Sequence, residues 1–158
     1  MTKEEFMREA LRLAQESAAE GEVPVGAVVT LGDEIVGRGR NRREIQKNAL
    51  AHAEIEAIND ACRNLGGWRL WQCDMYVTLE PCPMCAGAII NSRIKKITFG
   101  AQDLKAGSCG TLVNLFDFPY NHKPEIEGGF MKEECSEILS TFFKKLRLRK
   151  SKRSIENG

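Results

Sequence analysis

Four residues stand where they can act on one small volume: His52 and Glu54, and Cys82 and Cys85. Cys82 and Cys85 are at i and i+3, bracketed by Pro81 and Pro83, so they sit at a helix start with both sulfurs facing one point. The positive end of the helix dipole falls there and favours thiolates. Thiolate sulfur and imidazole nitrogen are good zinc donors, and His52 opens a second helix that can meet the first. Glu54 points away from His52 in a regular helix. It therefore sits above the metal site, near an open coordination position, rather than beside His52 as a ligand. Zinc on three protein ligands keeps its fourth position for water and lowers that water's pKa toward ~7, and a nearby carboxylate can accept the proton. The predicted chemistry is metal-assisted attack by water, with one zinc ion on His52, Cys82 and Cys85 and Glu54 moving protons.

Two blander readings compete at this point. One is a closed structural site with Cys73 or Cys109 as fourth ligand; the other is no metal, with Cys82 and Cys85 as core thiols. A lone Cys-x-x-Cys is common. The His-x-Glu and Pro-Cys-x-x-Cys pairing, each at a helix start, favours the catalytic reading. The spacing assigns no role to Cys62 or Cys135.

The elements that must position these residues follow from periodicity. Thr2 and Glu5 form a capping box, and Phe6, Ala10, Leu13, Ala14 and Ser17 give an amphipathic helix over 3–19. Residues 25–29 and 34–37 read as strands of a hairpin turning at Gly32-Asp33. A polar loop, 41–48, leads to a helix over 51–64 that ends at Leu65-Gly66-Gly67. A strand over 75–79, a helix over 83–91 and a strand over 94–99 come next, then a loop to Gly110. After a short apolar turn (112–116) and a loop (119–124), a last helix spans 132–150, with Ile138, Leu139, Phe142, Phe143 and Leu146 on its apolar face. Helices between the later strands require parallel crossovers, and the hairpin adds an antiparallel pair, so a mixed α/β sheet covered on both faces is expected.

At 158 residues the chain suits one domain, residues 1–150, with 151–158 as a disordered basic tail. Hydrophobic residues make up 42% and no apolar run can span a bilayer, so no membrane association is expected. The charged start, Met1-Thr2-Lys3-Glu4-Glu5, lacks a signal-peptide core and points to the cytoplasm. The six cysteines then read as free thiols or metal ligands rather than disulfides. Net charge is +1, but residues 144–153 hold seven bases and no acid. Such a run is either an electrostatic footprint for nucleic acid or a solubilising helix end.

Several longer blocks make the chain resemble the bacterial tRNA-specific adenosine deaminases of the cytidine deaminase-like superfamily. They are residues 22–28 (Glu-Val-Pro-Val-Gly-Ala-Val), Ala51-His52-Ala53-Glu54, residues 77–88 around Pro81-Cys82-Pro83-Met84-Cys85, and Phe99-Gly100-Ala101, then Asp103, Asn121-His122 and Phe142-Phe143. The His-x-Glu and Pro-Cys-x-x-Cys pair is the zinc-deaminase signature. The resemblance implies a three-layer α/β/α fold with a mixed five-stranded sheet. It implies a homodimer that converts adenosine to inosine at the wobble position of a tRNA, acting on the anticodon stem-loop with one zinc per subunit. It also implies substrate contacts at Asn41, which should hydrogen-bond the base, and at Ala53, Asp103, Asn121 and Phe142, with RNA contacts along the last helix. On the residues alone, Asn41, Asp103 and Asn121 read as turn or loop residues, and Trp68 and Trp71 as packing residues. Phe142 and Phe143 cannot both be core on one narrow stripe. The alternatives are a small-molecule cytosine, cytidine or guanine deaminase, against which the basic helix argues, and a non-catalytic RNA-binding subunit with structural zinc, against which Glu54 argues.

Overall fold

The computed structural model describes residues 1–157. The elements run α1 (Lys3–Ala19), β1 (Gly26–Leu31), β2 (Glu34–Arg40), α2 (Arg43–Gln46), α3 (Ala53–Leu65), β3 (Asp74–Leu79), α4 (Pro83–Asn91), β4 (Lys96–Ala101), a 3₁₀ turn (Leu115–Asp117), β5 (Glu125–Gly128) and α5 (Lys132–Asn157). Five strands form one sheet in the order β2-β1-β3-β4-β5. β1 is antiparallel to both β2 and β3, whereas β3, β4 and β5 are parallel. The mixed α/β sheet is therefore as expected.

Alternation along the strands builds the layers, because successive side chains leave a strand on opposite faces. Ala27, Val29, Met75 and Val77 face one core with Ala53, Ala57 and Ala61 of α3 and Ile89 of α4. Val28 and Tyr76 face the other, with Phe6, Met7, Ala10 and Leu13 of α1 and Cys135 of α5. Phe6 and Tyr76 meet there with ring centroids 5.3 Å apart. Two helices cover each face, giving three layers.

α3 lies so close to β2 that neither Gly37 nor Gly39 could carry a side chain. A Cβ at Gly39 would collide with the Ala53 carbonyl and come within 2.5 Å of the Ala57 nitrogen, and one at Gly37 within 2.8 Å of the Ala61 nitrogen. This approach seats the N-terminus of α3, and hence His52 and Glu54, against the sheet.

Three elements and one pair of side chains depart from the sequence reading. The polar loop at 41–48 contains a short helix, α2, whose first N–H groups are held by a carboxylate from elsewhere in the fold. The strand β5, Glu125–Gly128, lies where periodicity gave only the end of a loop; it is short and carries two glutamates, so pairing with β4 defines it, not a hydrophobic pattern. α5 continues to Asn157 instead of stopping near Lys150, so residues 151–157 of the expected tail are helical and Gly158 lies outside the described residues. Trp68 and Trp71 are not packing residues: they are 50% and 60% exposed on the connection from α3 to β3. Arg69 lies over the Trp68 ring, 4.4 Å from its centroid.

Candidate metal and proton-transfer site

His52 and Cys82 are the N-cap residues of α3 and α4, with extended backbones (ψ 153° and 175°) and no side-chain capping bond. N-caps are usually Ser, Thr, Asp or Asn, which spend their side chains on the helix. Here both side chains are left for another task. Pro83 begins α4, where its missing N–H costs nothing, and Cys85 follows within the first turn.

The two helix starts meet at the end of the sheet. His52 Nδ1 lies 3.7 Å from Cys82 Sγ and 3.5 Å from Cys85 Sγ. All three donor atoms lie within 4.8 Å of one another, and they form the one such group found among the described residues. Sulfur and nitrogen donors on a tetrahedral zinc ion sit about 3.6 Å apart, given bond lengths near 2.3 and 2.0 Å. The donor set and its spacing therefore fit zinc. Cys73 and Cys109 are buried free thiols outside this group, so neither reading of a fourth cysteine ligand is supported.

The three donors are electrostatically linked, and Cys82 is the one shifted toward thiolate. The Cys85 thiol and the His52 ring hold the Cys82 thiol down at about 4, and the same contact raises His52. Cys85 is pushed well up, first by the Cys82 sulfur and then by burial. Glu54 is 4% exposed, and burial raises its carboxyl to about 7. A carboxyl poised near neutrality suits a group that takes up and returns a proton.

His52, Glu54 and Cys82 line a pocket of about 500 Å³, and Cys85 is fully buried beside Cys82. One wall comes from Val23, Val25, Asn41 and Arg43, another from residues 102–106, and a third from Leu139 and Phe143 of α5. A larger groove of about 910 Å³ runs between α1 and α5, and none of the metal-group residues lines it.

Of the residues expected to touch substrate, Asn41, Ala53 and Asp103 line the pocket. Asn41 is buried; its Nδ2 donates to the Val23 carbonyl (3.0 Å) and its Oδ1 accepts from the Arg43 N–H (3.3 Å). Each polar atom of that amide keeps capacity for one further bond. Asp103 Oδ1 accepts from the Lys105 and Ala106 N–H groups at 3.0 and 3.1 Å. Asn121 is exposed and does not line the pocket. Phe142 does not line it either: it faces the α1–α5 groove, and its neighbour Phe143, 40% exposed, takes the place at the pocket. Neither phenylalanine is core, because α5 rests on the sheet mainly through Cys135 and Leu139.

Sequence reasoning missed two buried carboxylates that hold the pocket walls. Glu22, 1% exposed, accepts from the N–H groups of Glu44 and Ile45, both at 3.1 Å, and so caps α2. Glu80, 2% exposed, accepts from three backbone N–H groups of the 103–111 loop. Glutamate is almost always a surface residue, so nothing in composition or periodicity marks these two. The only signal was their place inside the two longest matching blocks.

Comparison with known proteins agrees with this geometry. Residues 1–147 match the family described as MafB19-like deaminase. The chain is 48% identical to a tRNA-specific adenosine deaminase from Bacillus subtilis, over 95% of this chain and 94% of that one. It is 49% identical to one from Haemophilus influenzae, over 91% and 84%. A solved structure, described as part of studies of A-to-I editing by tRNA:A34 deaminases at the wobble position of transfer RNA, superposes with a TM-score of 0.84. It has 42% identity, over 87% of this chain and all of that one.

Proposed function

The chain belongs to the family of tRNA-specific adenosine deaminases, and from that premise we propose that it hydrolyses adenosine to inosine at the wobble position of a tRNA anticodon, releasing ammonia. One observation carries the reading. The His–Cys–Cys group opens on one pocket through His52 and Cys82, beside the buried Glu54, and Phe143 on that pocket's wall is followed directly by the basic run that opens with Lys144 and Lys145. A free nucleobase needs no such extended cationic surface; an RNA backbone does.

His52, Cys82 and Cys85 are the residues that would hold zinc, which supplies Lewis acidity and makes water nucleophilic near neutral pH. Glu54, buried beside them, takes the proton of the attacking water, then delivers protons to the adenine ring nitrogen and to the departing amine. Asn41 uses its remaining donor and acceptor on the edge of the flipped base. Ala53 presents backbone at the first turn of α3. Asp103 holds its own loop with one oxygen and keeps the other for the nucleotide. Arg43 and Lys105, both on the pocket wall, offer charge to the flanking phosphates. Phe143 takes the place on the substrate pocket that had been expected of Phe142, and Asn121 lies outside that pocket. An unpaired loop base costs less to extrude than a paired one, which suits an anticodon loop.

On the same reading, residues 1–150 act as one deaminase domain, and the protein works in the cytoplasm. No helix among the described residues is long and apolar enough to cross a membrane. It assembles as a homodimer, a reading supported by the exposed apolar stretch of Leu112, Val113, Phe118 and Tyr120, each 40% exposed or more.

The test is an anticodon stem-loop with adenosine at the wobble position, beside one in which that adenosine is moved by one nucleotide. Inosine should form in the first and not the second. Equal conversion of both, or of neither, would refute the assignment.

A further inference from the structure

A carboxylate buried in a fold is kept only when its oxygens are fully engaged, since desolvation of the charge is otherwise uncompensated. Glu80 meets that condition through a single loop. It accepts from the N–H groups of Asp103 at 3.2 Å, Cys109 at 3.0 Å and Thr111 at 3.1 Å, and also from the Thr111 hydroxyl. Its own N–H donates to the Ala101 carbonyl at 2.8 Å, and the Ser108 N–H donates to the Pro81 carbonyl at 2.9 Å. Gly107 lies flat against the carboxyl: a Cβ there would come within 2.6 Å of Glu80 Cδ and 2.5 Å of the Asp103 carbonyl. No basic side chain pairs with Glu80 among the described residues, so what its carboxyl group holds is mainly backbone.

The two ends of this arrangement matter separately. Glu80 stands at the head of the Pro81–Cys85 segment, which carries two of the three metal-group donors. The loop it grips supplies Gln102 through Ala106 to the pocket wall. We propose that Glu80 is a positioning residue that sets the 102–111 loop in register with the Pro81–Cys85 segment, so that a nucleotide held by Asp103 meets the reacting centre at the right distance. The proposal rests on the tRNA deaminase reading. Sub-ångström placement is where such an anchor acts, because small misplacement of a bound substrate costs large factors in rate.

The test is Glu80→Gln in the full-length, zinc-loaded protein. An amide keeps the shape but turns a donor toward backbone N–H groups that need an acceptor. Hydrogen exchange at the Asp103, Cys109 and Thr111 amides should accelerate at least about tenfold, zinc content should stay at the wild-type level, and kcat/KM on the stem-loop should fall about 10- to 100-fold. In an Asp103→Ala background the same substitution should cost under about threefold, since the group it positions is already gone. A cost that multiplies in full in that background would overturn the proposal. So would loss of zinc, which would place the effect on the metal segment instead. If Glu80→Gln does not fold, Thr111→Val removes only the hydroxyl bond; unchanged exchange and unchanged kcat/KM there would overturn the proposal equally. Absence of inosine with the wild-type protein would sink the functional reading alone, because the exchange measurement still decides whether Glu80 holds the loop.

Discussion

His52 and Cys82 hold the same place in two different helices: each is an N-cap, and His52 Nδ1 stands 3.7 Å from Cys82 Sγ. Two positive helix ends thus converge on a donor set of one imidazole and two sulfurs. That convergence lowers the cost of holding thiolate there, and it sets the site's dependence on a cation.

Metal removal should therefore be felt by the fold as well as by activity. Ligand bound only to the native state at about a hundredfold above its Kd adds about 2.7 kcal/mol. For a domain of this size that is roughly 5–10 °C in Tm. Stripping the protein with a chelator should lower Tm by that amount and abolish turnover, and added zinc should restore both. In Cys85→Ser, Tm should no longer respond to zinc.

Salt should separate an RNA substrate from a free base. Binding that neutralises phosphates falls steeply with ionic strength, with a slope of about 0.7 per single-strand phosphate contact. Apparent affinity for the stem-loop should drop accordingly, and Lys144→Glu with Lys145→Glu should reduce the slope by about 1–2. A salt-independent affinity would speak for the small-molecule alternative.

Gly39→Ala should reach the site through packing. Its Cβ would press on the Ala53 carbonyl in the first turn of α3, the turn that carries Glu54 and follows His52. Overpacking of this kind costs about 1–3 kcal/mol. Tm should fall, and zinc affinity should weaken with it, whereas Gly67→Ala, in open space at the far end of α3, should leave zinc affinity unchanged.

The β4–β5 edge should titrate at low pH. The Glu127 carboxylate is held below its ordinary 4.5, first by Lys3 at 2.7 Å and then by Lys96 at 3.0 Å. A depressed acid stabilises the fold above its unfolded pKa, and that stability is lost as pH falls through the folded value. With the side chain 35% exposed, screening limits the contribution to about 0.5–1 kcal/mol. Glu127→Gln should lower Tm by ~1–4 °C at pH 7, and the difference from wild type should vanish once the pH has fallen through the depressed folded-state value.

The metal group was legible in the sequence because its chemistry depends on local spacing: Cys82 and Cys85 share a helix turn, and Pro83 marks where it starts. The sheet was legible where alternation was strong, as in β1 and β3. β5 was not, because Glu125-Ile126-Glu127-Gly128 has no hydrophobic alternation of its own and exists by pairing with β4. Phe142 and Phe143 could not be ranked, since a helix places neighbours about 100° apart and only the crossing of α5 over the sheet decides which one sees the pocket. The exposure of Trp68 and Trp71 and the burial of Glu22 and Glu80 both run against residue averages, and long-range contacts decide them.

Glu54 is where the chemistry and the fold meet, and one measurement tests it most directly. Zinc-loaded wild type and Glu54→Gln would each be incubated with the wobble-adenosine stem-loop in heavy-oxygen water, and the nucleosides analysed by mass. Wild type should yield inosine carrying the heavy oxygen, with an equal amount of ammonia, while Glu54→Gln should keep its zinc and lose turnover by at least about a hundredfold. Full activity in Glu54→Gln, or no labelled inosine from wild type alongside ammonia released from free guanine or cytosine, would contradict the mechanism and its substrate.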